Sequence, residues 1–438
     1  MKSVLAYPGN MPHAQQIARA LFERTWLTAF VTTYVYRRTG LTASLCGLLP
    51  AALAAKAKAQ FERRSIEEVP DDFVHSYPLW EALRSSARRA GAGSVVVDVL
   101  WDHMSRRFDA LVARRYVAQA QAIHAFEYTA LATFESAEKE GVARVLHLPS
   151  LSSRESEAIR RRETANWNDL ANPHALYFAR KFPDRQARRD AEIALADVIV
   201  ANSSLTARSH IAGGADPAKV VIASLGAPPT ISEPRPVSDR GGALSVMWAG
   251  HFNLGKGAHY MLDAWRRLDA KSHAKLNVYG AIDIPERLLA TAGQAVTFHG
   301  PVARSVLYDA YQCADILVFP SLSDGFGMVV SEALAHGLPV ITTDMAGAAD
   351  LVTSRNGFVV PAADAGALAD ALRWCLDNRD ALQDMRIEAL ATARRRQWSD
   401  FRRDLITGVT AGLDRAGRQA PIEAAARIEM AGARARSR

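Results

Sequence analysis

"SLSDGFGMVVSEALAHGLPVITT", residues 321–343, decides how the chain folds. It follows "DILVFPS" (315–321), a short apolar run with the composition of a buried strand. "VVSEALAHG" carries a helical pattern, and Gly337 with Pro339 just beyond it is a helix stop. "LPVITT" then reads as the next strand. A polar loop holding Gly325 and Gly327 therefore joins the carboxyl end of a parallel strand to the amino end of a helix. Ligands bind at that place in open α/β sheets. Free backbone N–H groups and the positive end of the helix dipole attract phosphate, and glycine admits a close backbone approach. Asp324 and Glu332 stand on either side of the join. Carboxylates accept sugar hydroxyls well, so the loop suits a phosphate joined to polyols, with one acid for a sugar and the other for a ribose. The same residues also read as a glycine turn with a capping Asp and an exposed helical Glu.

The alternation extends outward in both directions. Upstream, "LSVMWAG", "AKLNVYG" and "AVTFHG" read as strands, with helices in "AHYMLDAWRRLDA" and "SVLYDAYQCA"; downstream come "GFVVP" and "AGALADALRWCLDN". An earlier series has the same build. "KSVLAYPG" is a strand before the helical "HAQQIARALFERTWL", "QAIHAFE" precedes "YTALATFESAEKEG", and "RVLHLPS", "ADVIVANS" and "KVVIASLGAPP" complete it. Short β-rich runs alternating with helices predict parallel sheets covered on both faces. "PPTISEPRPVSDRGG" lacks any period and reads as a linker. The expected division is residues 1–227 as a first α/β domain, 228–242 as linker and 243–398 as a second α/β domain. A helix over 399–417 should return to the first domain, and 418–438 should be a disordered tail.

The chain has 438 residues, 49% hydrophobic and 23% charged, and a net charge of +7. That balance is globular, and the length predicts two or three domains. No apolar run reaches the roughly 20 residues of a spanning helix. "LTASLCGLLPAALAA" (41–55) is short and contains Pro50, so it reads as buried or interfacial. "MKSVLAYPGN" lacks a cationic leader before an apolar core, so no secretory signal is expected and the cytoplasm is the expected compartment. Cys46, Cys313 and Cys375 form neither a disulfide framework nor a metal pattern. The basic balance is compatible with nucleic acid, anionic lipid or phosphorylated substrates. No interleaved aromatic–basic module supports nucleic acid as a partner.

Two further loops carry candidate chemistry. "AGHFNLGKG" (249–257) follows a strand and precedes a helix, and its Lys256 is a point charge suited to phosphate. His124 and His147 lie near strand ends of the first unit and are expected to face a cleft between the domains. Asp-x-Asp, His-Glu-x-x-His and Gly-x-Ser-x-Gly are all absent.

Together these motifs resemble the retaining nucleotide-sugar glycosyltransferases of family 4. "GHFNLGKG" falls where that family has Gly-Arg-(x)4-Lys-Gly, and "FHGPVARSVLYDAYQCADILVFPSLSDGFGMVVSEALAHGLPVI" follows its pattern almost throughout. The resemblance is clearest from Val246 to about Asp377; the first 150 residues match in layout only. It implies an α/β GT-B architecture, two Rossmann-like domains facing each other across a cleft. It implies a donor site of Gly250, His251, Lys256, Val302, Asp324, Gly325, Phe326, Gly327, Met328 and Glu332. Within it Lys256 meets the diphosphate, Glu332 the ribose, Asp324 the sugar and the Val302 backbone the base. His147, Asp324 and Lys256 would be the catalytic residues, and Gly9 and Asn10 would begin a flexible glycine loop on the acceptor side. Asp324 replaces a usual Glu, and His251 replaces a usual phosphate-binding Arg. The implied reaction needs no metal and no cofactor beyond the nucleoside diphosphate sugar. The acceptor would be a glycan or lipid-linked hydroxyl in cell-envelope polysaccharide or glycolipid synthesis, met by a peripheral enzyme on an anionic inner membrane surface. The alternatives are a GT-B isomerase or phosphorylase, and a non-enzymatic nucleotide-sugar binding protein.

Overall fold

Short strands, several of them fully buried and most leading into a helix, set the architecture. The protein is described here from a computed structural model, which defines residues 1–37, 64–166, 173–235, 242–268, 273–293 and 295–418. The first sheet contains β1 (Ser3–Ala6), β2 (Leu27–Thr32), β3 (Val74–Ser76), β4 (Ala122–Phe126), β5 (Ala143–Leu148), β6 (Val198–Ala201) and β7 (Val220–Ile222). Its order is β3-β2-β1-β4-β5-β6-β7, with every pair parallel. The helices of this domain are α1 (Pro12–Glu23), α2 (Leu79–Arg89), α3 (Ser94–Tyr116), α4 (Leu131–Lys139), α5 (Ser153–Asn166), α6 (Pro173–Leu195) and α7 (Ser204–Ala212).

The second domain contains β8 (Leu244–Ala249), β9 (Phe252–Asn253), β10 (Ala274–Tyr279), β11 (Ile282–Asp283), β12 (Val296–Gly300), β13 (Ile316–Phe319), β14 (Val340–Thr343) and β15 (Gly357–Val360). Its sheet runs β12-β10-β8-β13-β14-β15, again all parallel, while β9 and β11 form a small separate pair. Its helices are α8 (Ala258–Arg267), α9 (Glu286–Leu289), α10 (Arg304–Cys313), α11 (Met328–Ala335), α12 (Ala365–Asp377) and α13 (Arg379–Arg395). Two parallel-sheet α/β domains are the fold expected from the alternating strands and helices.

The last helix, α14 (Trp398–Arg415), crosses back and packs on α1, β6 and β7. A Cβ at Gly412 would lie 2.8 Å from Val198, so only glycine lets the helix come this close to the sheet. Phe401, Leu405 and Val409 of α14 join a buried apolar cluster that runs from Leu5 and Ile17 in the first domain to Phe319 and Val330 in the second.

One boundary departs from the sequence reading. "HAQQIARALFERTWL" was expected to be helical to Leu27. Instead α1 ends at Glu23, Thr25 adopts a left-handed φ of 57°, and Leu27 opens β2 beside Ser3. The Trp26 N–H donates to Leu21 O at 2.8 Å, which closes the turn without a glycine to announce it. The apolar run 41–55, residues 236–241 of the expected linker and residues 419–438 of the expected tail lie outside the described residues.

The loop leaving β4 is fixed by two buried acids. Asp109 of α3 accepts the N–H groups of Ala132 (2.8 Å) and Thr133 (2.9 Å), and Glu192 of α6 accepts those of Tyr128 (2.5 Å), Ala130 (3.0 Å) and Leu131 (3.1 Å). The amino end of α4 is thus capped from its neighbours. Arg188 pairs with both acids. Asp109→Ala leaves a buried guanidinium beside one acid only and frees two N–H groups. A loss of about 3 kcal/mol is expected, read as a lower urea midpoint with an unchanged slope.

Candidate functional site

The loop between β13 and α11 lies at the junction of the two domains. Gly327 begins α11 with φ +87°, and a Cβ there would meet the Phe319 ring at 2.8 Å. At Gly325 a Cβ would lie 2.4 Å from Pro149 O and 2.7 Å from Ser150 Cα. Those atoms belong to the first domain, just past β5. The Gly325 carbonyl accepts hydrogen bonds from Ser203 Oγ (2.5 Å) and Thr206 Oγ1 (3.1 Å), at the amino end of α7. Gly325 was read as a point of close approach to ligand; its neighbour here is the other domain.

Asp324 is anchored in the same loop. Its N–H donates to Met345 O and its carbonyl accepts from Gly347 N, both at 3.0 Å. Oδ1 accepts the Phe326 N–H at 3.2 Å, and Oδ2 takes the Lys256 ammonium at 2.5 Å. Lys256 arrives on the loop after β8 and β9. Asn253 Oδ1 caps that turn by accepting the Lys256 N–H at 2.9 Å. Gly257 follows with φ +77°, and Pro320 O lies 2.0 Å from where a Cβ would sit, so no other residue fits. The Lys256 ammonium is 5.7 Å from the Phe319 ring centre. The two loops read separately from the sequence therefore meet, and their opposite charges pair.

Glu332 lies on α11, buried to 8% exposure, so the reading of an exposed helical Glu does not hold. Its carboxylate accepts the Tyr311 O–H at 3.1 Å. Burial raises the Glu332 carboxyl above its ordinary range, against the pull of Arg304 and of the Tyr311 hydroxyl. His336 Nδ1 lies 2.7 Å from Glu332 O, and its ring packs against Tyr308 and Tyr311. Tyr311 carried no signal in the sequence beyond helical spacing. Gly250 adopts φ +108°, His251 is exposed, Met328 opens α11 and Val302 is half-buried past β12.

In the first domain His147 and His124 face each other, and His147 also lines a small cavity with His13, Pro149 and Asn202. His124 Nδ1 and His147 Nε2 are 3.0 Å apart, with exposures of 0% and 3%. Burial holds both imidazoles well below the usual histidine range, His124 at about 3, and His124 and His13 add to the effect on His147. Both rings are therefore neutral at neutral pH. The loop after β1 is pinned: Thr32 Oγ1 donates to Gly9 O at 3.0 Å, Thr33 Oγ1 to Pro8 O at 2.9 Å, and Gln15 Nε2 to Asn10 Oδ1 at 2.6 Å. Further contacts between the domains escaped the sequence reading. Glu163 of α5 meets His259 Nε2 (3.1 Å) and the Tyr260 O–H (3.0 Å), and Ser204 Oγ donates to Asp350 at 2.6 Å. Only Ser203 had a readable signal, as the polar residue before a helix.

Comparison with known proteins agrees with this fold. Residues 243–378 match the family model "Glycosyl transferases group 1". Over the whole chain the fold is similar to that of HepE from Anabaena in complex with UDP, with a TM-score of 0.60 and 15% identity, covering 94% of this chain and 100% of that one. It is similar too to the sucrose-phosphate synthase of Thermosynechococcus elongatus, at TM-score 0.60 and 16% identity over 95% of this chain and 100% of that one. The fold is GT-B, and the family match falls within its second domain. Among curated proteins, the D-inositol 3-phosphate glycosyltransferase of Nocardia farcinica is 34% identical over 121 residues, 27% of each chain. That of Gordonia bronchialis is 28% identical over 228 residues, 46% of this chain and 50% of the relative. The chain spans between 25% and 53% of the length of such relatives.

The Tyr311 hydroxyl stabilises the ionised form of Glu332, so Tyr311→Phe should move that carboxyl's titration still higher. Carbon-13 NMR of the side chain measures it directly. Because the folded value is already raised, the stability tied to the protonated carboxyl is lost as pH rises through it. Glu332→Gln should flatten that fall.

Proposed function

We propose that the protein transfers a sugar from a nucleoside diphosphate sugar to an acceptor hydroxyl, with retention at the anomeric carbon. The observation that carries this reading is the meeting of Lys256 with Asp324 at the amino end of α11, one helix face from the buried Glu332. A diphosphate entering the site draws Lys256 off Asp324 and frees the carboxylate for the donor sugar's hydroxyls. Glu332 takes the ribose. The bond from C1 to the diphosphate oxygen breaks as a bond from C1 to the acceptor oxygen forms on the same face, and the acceptor proton passes to the departing diphosphate. Lys256 and the amino end of α11 stabilise the charge that develops there, and no metal is needed. With His147 enclosed and neutral, its part is to shape the wall behind Pro149. The donor is a UDP-sugar: HepE was crystallised with UDP and with UDP-glucose.

In this reading the first domain holds the acceptor, a glycan or a lipid-linked hydroxyl of the cell envelope. Among the described residues no helix is long and apolar enough to cross a membrane. The α2–α3 hairpin does expose Leu79 (65%) at the start of α2 and Val96 (51%) early in α3, with Arg88 and Arg89 exposed at the end of α2. Peripheral attachment to an anionic leaflet fits that surface. Each basic residue at such a surface contributes on the order of 1 kcal/mol.

Calorimetry with UDP-, GDP- and ADP-sugars tests the donor. UDP-glucose should bind, and Lys256→Ala should abolish binding and transfer while the fold survives. Glu332→Ala should weaken free UDP. Asp324→Ala should spare free UDP but weaken the intact donor; equal losses would reverse the assigned roles. Transfer should persist in excess EDTA.

Sedimentation with vesicles tests the attachment. The protein should pellet with phosphatidylglycerol at low salt and be released near 1 M salt, where the Debye length falls to about 3 Å. Failure to pellet, or equal pelleting with neutral vesicles, points to a soluble acceptor.

A further inference from the structure

A second concave site lies away from the donor loops, in the first domain. Helices α2, α3 and α6 enclose a groove of about 590 Å³, lined by Arg84, Arg88, Arg185 and Arg189 with Trp101 and Phe178; Asp98 is the one acid of the lining. Its volume is that of a small-molecule site.

The arginines are held rather than merely clustered. Arg185 is 2% exposed, and its Nη2 donates to Asp98 (2.7 Å) and Asp102 (3.0 Å). Its guanidinium lies 5.3 Å from the Trp101 ring and 5.4 Å from that of Phe178. Trp101 in turn stacks on Tyr128, 4.8 Å away and 6° from parallel. Arg189 sits 4.7 Å over the Tyr128 ring, 3.7 Å from Glu127. Arg84 is fixed by Glu81 at 2.9 Å. Arg88 is exposed and has no acidic partner among the described residues.

One of these groups is left with an unmet donor. The Nε of Arg185 is buried and has no hydrogen-bond partner among the described residues, whereas that of Arg189 faces Glu127 at 3.7 Å. A buried, unpaired guanidinium N–H needs a reason. The acids Asp98, Asp102, Glu81 and Glu127 orient the arginines but leave the Arg185 Nε open. A phosphate offers several acceptor oxygens and a double charge, and matches arginine forks better than a single carboxylate does. Because the guanidinium planes are already fixed, little ordering is required on binding.

The groove's position ties it to the reaction. Glu127 and Tyr128 leave the carboxyl end of β4, the sheet edge from which the loops at Gly9 and Pro149 also rise. Phe178 packs under Arg160 of α5, at 5.6 Å, and α5 carries the Glu163 that reaches the second domain.

We propose that this groove binds the phosphate-bearing end of the acceptor. The word acceptor rests on the glycosyltransferase reading; the anion site does not. The phosphate could be borne by a soluble sugar phosphate or by a lipid headgroup, and the two share the chemistry.

Calorimetry on the full chain uses inorganic phosphate, glucose 6-phosphate, glucose and UDP as probes. Wild type, Arg88→Glu, Arg189→Gln and Lys256→Ala are compared. Both phosphates should bind wild type and glucose should not. Glucose 6-phosphate should bind at least tenfold more weakly to Arg88→Glu and to Arg189→Gln, and normally to Lys256→Ala. UDP should show the reverse pattern. Arg88 is exposed, so its variant keeps the fold and carries the test even if Arg189→Gln does not. Phosphatidylglycerol vesicles that are retained by wild type and lost by Arg189→Gln, with no response to glucose 6-phosphate, assign the anion to a lipid headgroup and uphold the site. Unchanged phosphate binding in Arg88→Glu, loss of it in Lys256→Ala, or no response to phosphate and vesicles alike overturns the proposal. Should UDP bind none of the proteins while the groove variants still lose phosphate, the donor reading fails and the anion site stands.

Discussion

The absence of a side chain at Gly325 is the constraint on which the rest of the site depends. Pro149 and Ser150 press on the loop where a Cβ would stand, and two hydroxyls from the start of α7 hold its carbonyl. Gly347 is locked into the same corner, with a Cβ position 2.1 Å from Gly325 O. A side chain at either residue would part the domains. The loop that carries Asp324 is therefore positioned by both halves of the molecule, and any change in the angle between them moves Asp324 relative to Lys256. Glu163 with His259 and Tyr260 supplies a second clasp on the neighbouring helix pair, buried and fully hydrogen-bonded at the carboxylate. Such contacts are modest individually, but they select one arrangement because each leaves a buried polar group unpaired when broken.

Within that frame the resting charges are balanced. Lys256 and Asp324 are each partly exposed, at 29% and 21% of their side chains, so their pairing is screened and contributes little to stability. Its value is positional. It keeps an ammonium and a carboxylate at the end of α11 without the cost of leaving either alone, and a ligand bearing both phosphate and hydroxyls can satisfy the two at once. A ligand with only one kind of group can satisfy only one of them. Glu332 differs, being buried with a single hydroxyl donor from Tyr311, so it retains unused acceptor capacity in a dry setting. Hydroxyl donors brought there meet a carboxylate that water does not already solvate.

The two sheets and the placement of the Lys256 and Asp324 loops were legible because buried parallel strands read as short continuous apolar runs. "DILVFPS" and "LSVMWAG" are strands as read, and both loops stand at their carboxyl ends. What failed has physical reasons. The first helix was read on to Leu27, the first residue of β2, because Thr25 makes the turn with a positive φ that no glycine marks. β3 has three residues, too few for a period. The Lys256–Asp324 pair, the His124–His147 contact and the hydroxyls on Gly325 join residues far apart in the chain, and spacing carries no information about such meetings. Gly325 and Gly327 were rightly singled out as sterically special, but the sequence could not say which neighbour imposes the demand.

The arginines illustrate the same limit in the other direction. A net charge of +7 suggests a generally basic surface, yet most arginines of the first domain are committed internally. Arg144 joins Glu138 and Asp197, Arg160 and Arg161 share Glu157, Arg154 meets Asp190, and Arg188 bridges Asp109 and Glu192. Arg154–Asp190 joins α5 to α6 and Arg188–Asp109 joins α6 to α3, while the pairs on Glu157 stay within α5. Among the described residues Arg88 and Arg89 at the α2–α3 hairpin have no acid in ion-pair reach, and neither do Arg106, Arg107, Arg114 and Arg115 farther along α3. Arg88 lines the groove in which Arg185 keeps a buried Nε without a partner among the described residues, so an exposed charge that attracts an anion and a fixed guanidinium that could bind it stand at the same place.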